Sequence, residues 1–314
     1  MVQEPIPVYL INGFLENGKT KFLSFTLSQD YFQIEEKTLL IVCEEGVEEY
    51  DAEELKRCNV VMEIIENEED FNAETMQQLQ MRHRPGRVVI EYNGMWNIKD
   101  LQFPSYWDLA QQITTVDAST FVNYFANMKS IFLEMVRRSE MVLFNRCKET
   151  DDLASFKRCV RGVNQQAEVV FEDENGENIE QVLDEDLPYD VNADLIEIGD
   201  EDYGIFYLDA LDNQDRYEGK RVSFTGMVYK NSLFQRNDFV PGRRVMTCCA
   251  DDIAFLGFLC KSKEAKRLSN RQWVKVTGTM KYEYRREYKG PGPVLMAESV
   301  VLTAKPEPEI LNLN

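Results

Sequence analysis

The sequence lacks any long hydrophobic run, since no apolar stretch approaches the ~20 residues that a membrane-spanning helix needs. Its beginning also lacks a basic segment ahead of an apolar core, so we expect no secretory signal. The seven cysteines are an odd number and lie scattered along the chain. Without a secretion signal, free thiols in a reducing compartment are the expectation. These absences predict a cytoplasmic protein that does not insert into a membrane.

Basic residues are scarce relative to acidic ones. Lysine and arginine number 35 against 55 aspartates and glutamates, for a formal net charge of −20. Because phosphate neutralisation drives nucleic-acid binding, we expect no nucleic-acid partner. The single histidine, His83, excludes a zinc site rich in histidines and disfavours serine–histidine–aspartate catalysis. It precedes a predicted strand and is expected on a surface loop.

The first half of the chain alternates apolar runs with amphipathic segments. This alternation predicts βαβ units and a mostly parallel sheet. Predicted strands cover residues 7–11, 37–43, 60–65, 87–91, 113–117 and 141–145, and predicted helices cover residues 19–27, 69–81 and 121–139.

Beyond an acidic stretch near residue 172, the pattern becomes β-rich. Strands are predicted at residues 221–229, 244–248, 254–260, 273–282 and 294–303, with a short helical insert at 262–268. Gly226 and Gly278 lie within predicted strands, where glycine marks a bulge or bend that helps to close a small barrel. The predicted fold is therefore an α/β domain with a mostly parallel sheet, followed by a small all-β, OB-like barrel. The predicted boundaries are 1–172 for the first domain, 173–192 for an acidic linker, 193–306 for the barrel domain and 307–314 for a tail.

A phosphate-binding loop follows the first predicted strand. Residues 13–20 read GFLENGKT and match G-x-x-x-x-G-K-[ST] without a mismatch. In such a loop the backbone N–H groups converge on phosphate oxygens at the start of a helix. Lys19 would reach the β- and γ-phosphates, and the Thr20 hydroxyl would ligate Mg²⁺. The motif predicts a P-loop NTPase.

A carboxylate follows at the end of another predicted strand. Glu91 closes the strand RVVIE and begins the pattern E-x-x-G, which Gly94 completes. Ligands of open α/β sheets bind at the carboxyl ends of the strands, so Glu91 is a candidate to organise Mg²⁺ together with Thr20. Asp117 ends the next strand and is either a second such group or an ordinary strand-ending acid.

These segments resemble the CobW-type GTPases, relatives of the HypB and UreG metallochaperone NTPases, over residues 6–172. GFLENGKT is similar to the family's GFLGxGKT loop, VIEYNG at 89–94 to its (I/V)IExxG segment, and MVLFNR at 141–146 to its base-reading strand. The resemblance implies hydrolysis of a nucleoside triphosphate with Mg²⁺ and a switch segment at residues 44–46. It assigns catalysis to Lys19, Thr20 and Glu91. The nucleotide site that it implies comprises Gly13, Glu16, Asn17, Gly18, Lys19, Thr20, Glu45, Gly94, Asn145 and Arg146.

Two segments differ from that family's pattern. The C-x-C-C thiolate motif is absent, and residues 63–71 read EIIENEEDF instead. The base-reading motif N-K-x-D becomes NRCK at residues 145–148, which lacks the aspartate that accepts from guanine N1 and N2. GTP is the nucleotide that the resemblance implies, and ATP stays open.

Residues 185–306 resemble a second family, the C-terminal domain of YcgQ-type proteins, which accompany predicted membrane permeases. The resemblance rests on YEGKRVSFTGMV at 217–228, RVMTCCADD at 244–252 and WVKVTG at 273–278. Cys248 and Cys249 are adjacent, and Cys260 is near them in sequence. The three are candidate Zn²⁺ ligands, although redox chemistry or plain core packing would equally explain them.

Two functions follow as hypotheses. The first is a metallochaperone in which GTP hydrolysis is coupled to handling of a metal such as zinc, with a metal-receiving protein as partner. The second is a nucleotide-gated adaptor with little turnover, whose barrel docks a partner such as a membrane permease. A thiol-redox module built on Cys248 and Cys249 is a third reading. The sequence leaves the oligomeric state open.

Overall fold

The computed structural model describes residues 5–179, 187–231, 234–246, 253–285, 288 and 290–312. The chain divides into two compact units, Met1–Leu183 and Asp184–Asn314. None of the helices in the described part of the chain has the length and apolar character that a membrane crossing requires.

The first unit is built on one sheet. Its strands are β1 (Ile6–Asn12), β2 (Thr38–Val42), β3 (Val60–Ile64), β4 (Arg87–Glu91), β5 (Trp107–Asp117), β6 (Met141–Cys147) and β7 (Glu168–Asp173). Its helices are α1 (Lys19–Ser28), α2 (Ala52–Arg57), α3 (Ala73–His83), α4 (Ala118–Val136) and α5 (Leu153–Arg161). The strand order is β3-β2-β4-β1-β5-β6-β7. Every neighbouring pair is parallel.

Apolar side chains cover both faces of this sheet. Val8 and Leu10 of β1 belong to one buried cluster, and Ile11 of the same strand belongs to another. Burial on both faces explains why β2 and β4 read as continuous apolar runs in the sequence. The predicted parallel sheet is confirmed, whereas α2, α5 and β7 were not predicted. His83 ends α3 rather than lying in a surface loop.

The second unit begins with short elements and continues as a barrel. Its strands are β8 (Ile196–Glu197), β9 (Arg221–Tyr229), β10 (Asp238–Met246), β11 (Ile253–Gly257), β12 (Leu259–Lys261), β13 (Trp273–Arg285), β14 (Gly290–Leu302) and β15 (Ile310–Asn312). Two helices, α6 (Tyr203–Asp212) and α7 (Gln214–Tyr217), precede β9. A single 3₁₀ turn, Lys263–Arg267, lies within the predicted helical insert.

Five strands close the barrel in the order β9-β10-β12-β14-β13, with β13 pairing back onto β9. The β12–β14 pair is parallel and the other four pairs are antiparallel. The register of β13 against β14 shifts between Thr277 and Gly278, so Gly278 lies at a bulge, as predicted. A parallel-sheet domain followed by a small closed barrel is therefore confirmed.

Three details of the second unit differ from the prediction. Leu187 and Tyr189, within the predicted linker, pack on the barrel core. Residues Ile310–Asn312, within the predicted tail, form β15 and pair with β10. A helix that was not predicted, α6, accompanies the barrel and buries Tyr203, Phe206 and neighbouring residues in the same core. These features could not be predicted from local sequence, because the burial of these segments depends on contacts with distant strands.

Candidate functional site

The loop between β1 and α1 has the backbone that phosphate binding requires. Gly13 and Gly18 have φ angles of 146° and 82°, which side chains with a Cβ rarely adopt. A Cβ on Gly13 would lie 2.4 Å from the backbone oxygen of Thr115, and one on Gly18 would lie 2.8 Å from Nδ2 of Asn145. The glycines therefore let the loop fold closely against β5 and β6. Helix α1 starts directly after Gly18, so its free N–H groups face the loop.

Lys19 is buried and already bonded at this loop. Its Nζ donates to the carbonyl oxygens of Gly13 and Phe14, both at 2.9 Å, and lies 2.5 Å from Oε2 of Glu44. The side chain is only 3% exposed. The loop thus holds a cation in its interior, and Glu44 is the anion that balances it.

Thr20 and Glu91 meet beside Lys19. The Thr20 hydroxyl donates to Oε1 of Glu91 at 2.9 Å, and the Tyr50 hydroxyl donates to Oε2 at 2.5 Å. Burial raises the pKa of Glu91, while the hydrogen bond from Tyr50, the charge of Lys19 and the hydrogen bond from Thr20 oppose that rise. Burial and the charge of Glu91 also raise the pKa of Tyr50, so its hydroxyl stays a donor. Tyr50 was not predicted, because nothing in the sequence links it to Glu91.

Gly94, the last residue of the E-x-x-G pattern, lies too close to the phosphate loop for any side chain. A Cβ at this position would lie 2.2 Å from the carbonyl oxygen of Gly13. The turn after β4 therefore touches the phosphate loop directly, and only glycine fits. Gly94 therefore helps to position the phosphate loop, and its place in the nucleotide site stays a prediction.

A segment without regular structure, residues 44–50, lies against the phosphate loop; we call it the cover segment. Three contacts hold it: Glu44 to Lys19, the backbone N–H of Val47 to Oε1 of Glu16 at 2.9 Å, and Tyr50 to Glu91. Glu45, which the sequence analysis placed in the nucleotide site, is exposed, and it does not line the pocket that Glu44 and Lys19 share. Within this acidic segment the structure brings Glu44, not Glu45, to the loop.

The remaining predicted site residues join the phosphate loop to β5 and β6. Asn17 donates from Nδ2 to the backbone oxygen of Thr115 at 3.2 Å, and Asn145 donates from Nδ2 to the backbone oxygen of Asn17 at 2.9 Å. Arg146 donates to the carbonyl oxygen of Glu16 at 2.9 Å and pairs with Asp117. These contacts show that the end of β6 lies beside the loop, as a base-reading strand must.

A second pocket opens beside Asn145 and has a volume of about 230 Å³. Its wall combines the start of α1, the end of β6 and the residues that follow β7. Oδ1 of Asn145 is buried and has no hydrogen-bond partner among the described residues. A polar atom left unpaired in this way is costly, and a ligand in the pocket would relieve that cost.

The predicted cysteine cluster does not take shape in the described residues. Cys248 and Cys249 lie outside them. Cys260 lies in β12, is fully buried in the barrel core, and burial raises the pKa of its thiol. Because the thiolate is the form that binds zinc, these surroundings argue against Cys260 as a ligand. Nowhere in the described ranges do three histidine, cysteine, aspartate or glutamate side chains group closely enough to hold a metal.

A parallel sheet with a phosphate loop after β1, and with Glu91 at the end of the neighbouring β4, defines a P-loop NTPase fold. Residues 7–171 match the nucleotide-binding domain of CobW, HypB and UreG. This match spans more than half of the chain, and the chain therefore belongs to the CobW/HypB/UreG family. Residues 172–310 match the DUF1980 C-terminal domain. No curated protein is significantly similar to the chain.

Solved structures resemble the chain at low identity. The hydrogenase maturation factor HypB from Archaeoglobus fulgidus is 16% identical, with a TM-score of 0.42 over 55% of this chain and 84% of that one. The Zn(II)-bound YjiA GTPase from E. coli is 19% identical, with a TM-score of 0.40 over 53% of this chain and 57% of that one. HypB from Helicobacter pylori in complex with nickel is 13% identical, with a TM-score of 0.35 over 54% of this chain and 80% of that one.

Proposed function

We propose that this protein binds and hydrolyses a nucleoside triphosphate with Mg²⁺, and that GTP is the preferred nucleotide. The observation that carries the proposal is the meeting of Lys19, Thr20 and Glu91, which come from α1 and β4 and lie within hydrogen-bond reach of the phosphate loop. Membership of a nucleotide-binding family supports the same assignment.

The donor set fits Mg²⁺. A threonine hydroxyl and a carboxylate oxygen lie 2.9 Å apart, and such hard oxygen ligands are the ones that Mg²⁺ prefers. Thr20 and Glu91 would hold the ion, which would supply positive charge to the β- and γ-phosphates. Lys19 would bind the same phosphates, and the backbone N–H groups at the start of α1 would orient them.

Phosphate binding would also disturb the cover segment. The γ-phosphate and the carboxylate of Glu44 are both anions and compete for Lys19, so the entering γ-phosphate would displace Glu44. Release of Glu44 would loosen the cover segment, which Val47 and Tyr50 tie to Glu16 and Glu91. This exchange would couple the state of the nucleotide to a conformational change.

We propose that nucleotide hydrolysis is coupled to the handling of a metal ion, which the protein passes as cargo to a receiving protein. Zinc is the first candidate for this metal. Family membership supports this step. Cys248 and Cys249 remain the proposed cargo ligands, without Cys260.

A second function, the nucleotide-gated adaptor, is favoured by one specific observation. Residues 63–71 carry no C-x-C-C motif, and the described residues hold no cluster that suits a metal. In this case the protein would bind nucleotide with little turnover and work in the cytoplasm. We propose that its barrel is OB-like, because five strands close into a ring that contains one parallel pair. This barrel would dock a partner such as a membrane permease.

One titration separates these functions. Metal-free protein is mixed with GTP or ATP and Mg²⁺, with and without Zn²⁺, while binding and phosphate release are measured. Turnover that Zn²⁺ stimulates, and that both Lys19→Ala and Cys248→Ser/Cys249→Ser abolish, supports the metal-coupled NTPase. Binding without turnover and without any response to Zn²⁺ supports the adaptor. Wild-type protein that binds neither nucleotide refutes both.

A further inference from the structure

The base-reading motif of this chain ends in a cation. Lys148 stands where N-K-x-D has its aspartate, and its side chain is 56% exposed with Nζ 3.8 Å from Oε1 of Glu174. A lysine side chain donates hydrogen bonds and cannot accept them. It therefore cannot receive the N1–H and N2–H₂ groups of guanine, and another acceptor is needed if the site selects that base.

The pocket beside Asn145 has the position and the walls for a base. Its volume of about 230 Å³ is several times the ~30 Å³ that one water takes up in the liquid. Phe22 and Phe25 of α1 line one side, and Phe25 is 64% exposed, so an aromatic face is free for stacking. Gly18 of the phosphate loop lines the same pocket, which connects it to the phosphate site.

Three acidic residues follow one another at the end of β7, and two of them are engaged. Asp173 accepts hydrogen bonds from the backbone N–H groups of Asn175 and Glu177 at 2.8 and 2.9 Å, so its carboxylate stabilises a turn. Glu174 is 68% exposed and faces Lys148.

Glu172 is the third acid, and its carboxylate has no hydrogen bond or ion pair within the described residues. Phe171 stacks on Phe144 on one face of the sheet, so the next side chain points to the opposite face. Lys21 and Phe22 of α1 line the pocket on that side, together with Glu172. Partial burial raises the pKa of Glu172, and the positive charge of Lys21 opposes this rise. Among the described residues, a carboxylate that accepts no hydrogen bond thus lines the pocket.

We propose that Glu172 is the residue that selects guanine, in place of the missing aspartate. The inference rests on the proposed function, because it assigns the base of the same nucleotide. Guanine presents two neighbouring donors, N1–H and N2–H₂, which the two oxygens of a carboxylate accept together. Adenine presents its N1 lone pair at that edge, and xanthine presents a carbonyl at C2, so the carboxylate repels both. Asn145 offers only one free acceptor, Oδ1, because its Nδ2 is bonded to the carbonyl oxygen of Asn17, so it cannot accept from both guanine donors together.

The test compares the affinities of GDP, XDP and ADP by calorimetry with Mg²⁺ present, for wild-type protein and Glu172→Gln. A glutamine supplies a donor that xanthine can use and loses one acceptor for guanine. We expect the wild type to bind GDP about tenfold or more tighter than XDP and ADP, and the variant to reverse the ratio of GDP to XDP affinity, with GDP about tenfold weaker. Glu174→Gln, a matched control two residues further along, whose carboxylate faces Lys148, leaves that ratio unchanged.

A second variant guards against a general defect in folding. Glu172→Asp keeps the charge but shortens the side chain, so GDP binds more weakly while XDP gains nothing. An unchanged ratio of GDP to XDP in Glu172→Gln overturns the assignment, as does a wild type that prefers ADP. A wild type that binds none of the three nucleotides refutes the proposed function itself, and the assignment of Glu172 with it.

Discussion

The side-chain nitrogen of Lys19 lies 2.5 Å from Oε2 of Glu44, and neither side chain is more than 10% exposed. A buried pair of this kind holds each charge where water cannot solvate it. A phosphate that enters the loop must therefore replace Glu44 at Lys19. The affinity of the site depends on this exchange as well as on the loop itself.

The first prediction concerns this competition. Glu44→Gln removes the charge that opposes phosphate binding, while Gly13 and Phe14 still hold Lys19 in place. We expect a non-hydrolysable GTP analogue, which carries the γ-phosphate, to bind about tenfold more tightly, equivalent to ~1.4 kcal/mol. Calorimetry measures the change, and the exposed neighbour Glu45→Gln serves as control. Weaker binding in Glu44→Gln would mean that Glu44 helps to hold the nucleotide.

The second prediction concerns the contact between Gly94 and Gly13. Gly94→Ala places a methyl group where only 2.2 Å is available, so the phosphate loop must shift. Overpacking of this kind costs ~1–3 kcal/mol, and we expect nucleotide affinity to fall about tenfold or more. Gly290→Ala is the control, because neither Gly94 nor Gly290 has a left-handed φ and the atom nearest to a Cβ on Gly290, the carbonyl oxygen of Tyr288, lies 3.9 Å away. If both variants bind nucleotide as the wild type does, the contact has no role in the site.

The third prediction is that Glu91 destabilises the fold at neutral pH although turnover requires it. A carboxyl group whose pKa is higher in the folded protein than in the unfolded chain destabilises the fold as pH rises through the folded pKa. Burial raises the pKa of Glu91, so Glu91→Gln is expected to melt at a higher temperature than the wild type at pH 7. The gain should vanish as pH falls to about 4, near the ordinary glutamate pKa.

Thermal melts across this pH range test the prediction, with Glu45→Gln as the exposed control. The same Glu91→Gln protein should lose Mg²⁺-dependent turnover, because the amide is a poor ligand for the ion. A variant that melts below the wild type at pH 7 would show that the ionised carboxylate stabilises the fold.

The fourth prediction tests whether α6 belongs to the barrel core. Phe206 is fully buried, and its ring contacts Tyr189, Tyr203, Tyr217, Phe224 and Phe258. Phe206→Ala is expected to destabilise the second unit by about 3–5 kcal/mol. Chemical denaturation measures this loss in a Trp96→Phe/Trp107→Phe background, where Trp273 is the one remaining tryptophan. Leu302→Ala, at an exposed position of β14, should change stability little.

Regular elements with a strong local pattern were predicted closely. Strand β4 and strand β9 begin and end at the predicted residues, because continuous or alternating apolar runs reflect burial directly. Helix α6 was missed because its sequence lies among acidic residues and its apolar side chains face a barrel formed later in the chain. Strand β15 was not predicted, because three residues are too few to show the alternation of apolar and polar side chains that indicates a strand.

The phosphate loop could be predicted from local sequence, because its geometry follows from glycine backbones and a helix start within one motif, Gly13, Gly18, Lys19 and Thr20. Which acidic side chains lie beside this loop depends on how distant segments pack in the folded protein. Glu44 rather than Glu45 contacts Lys19, Tyr50 donates a hydrogen bond to Glu91, and Glu172 lines the pocket beside Asn145. Each of these contacts joins residues from different elements, and packing between strands and loops, not local sequence, sets which side chains come within hydrogen-bond reach.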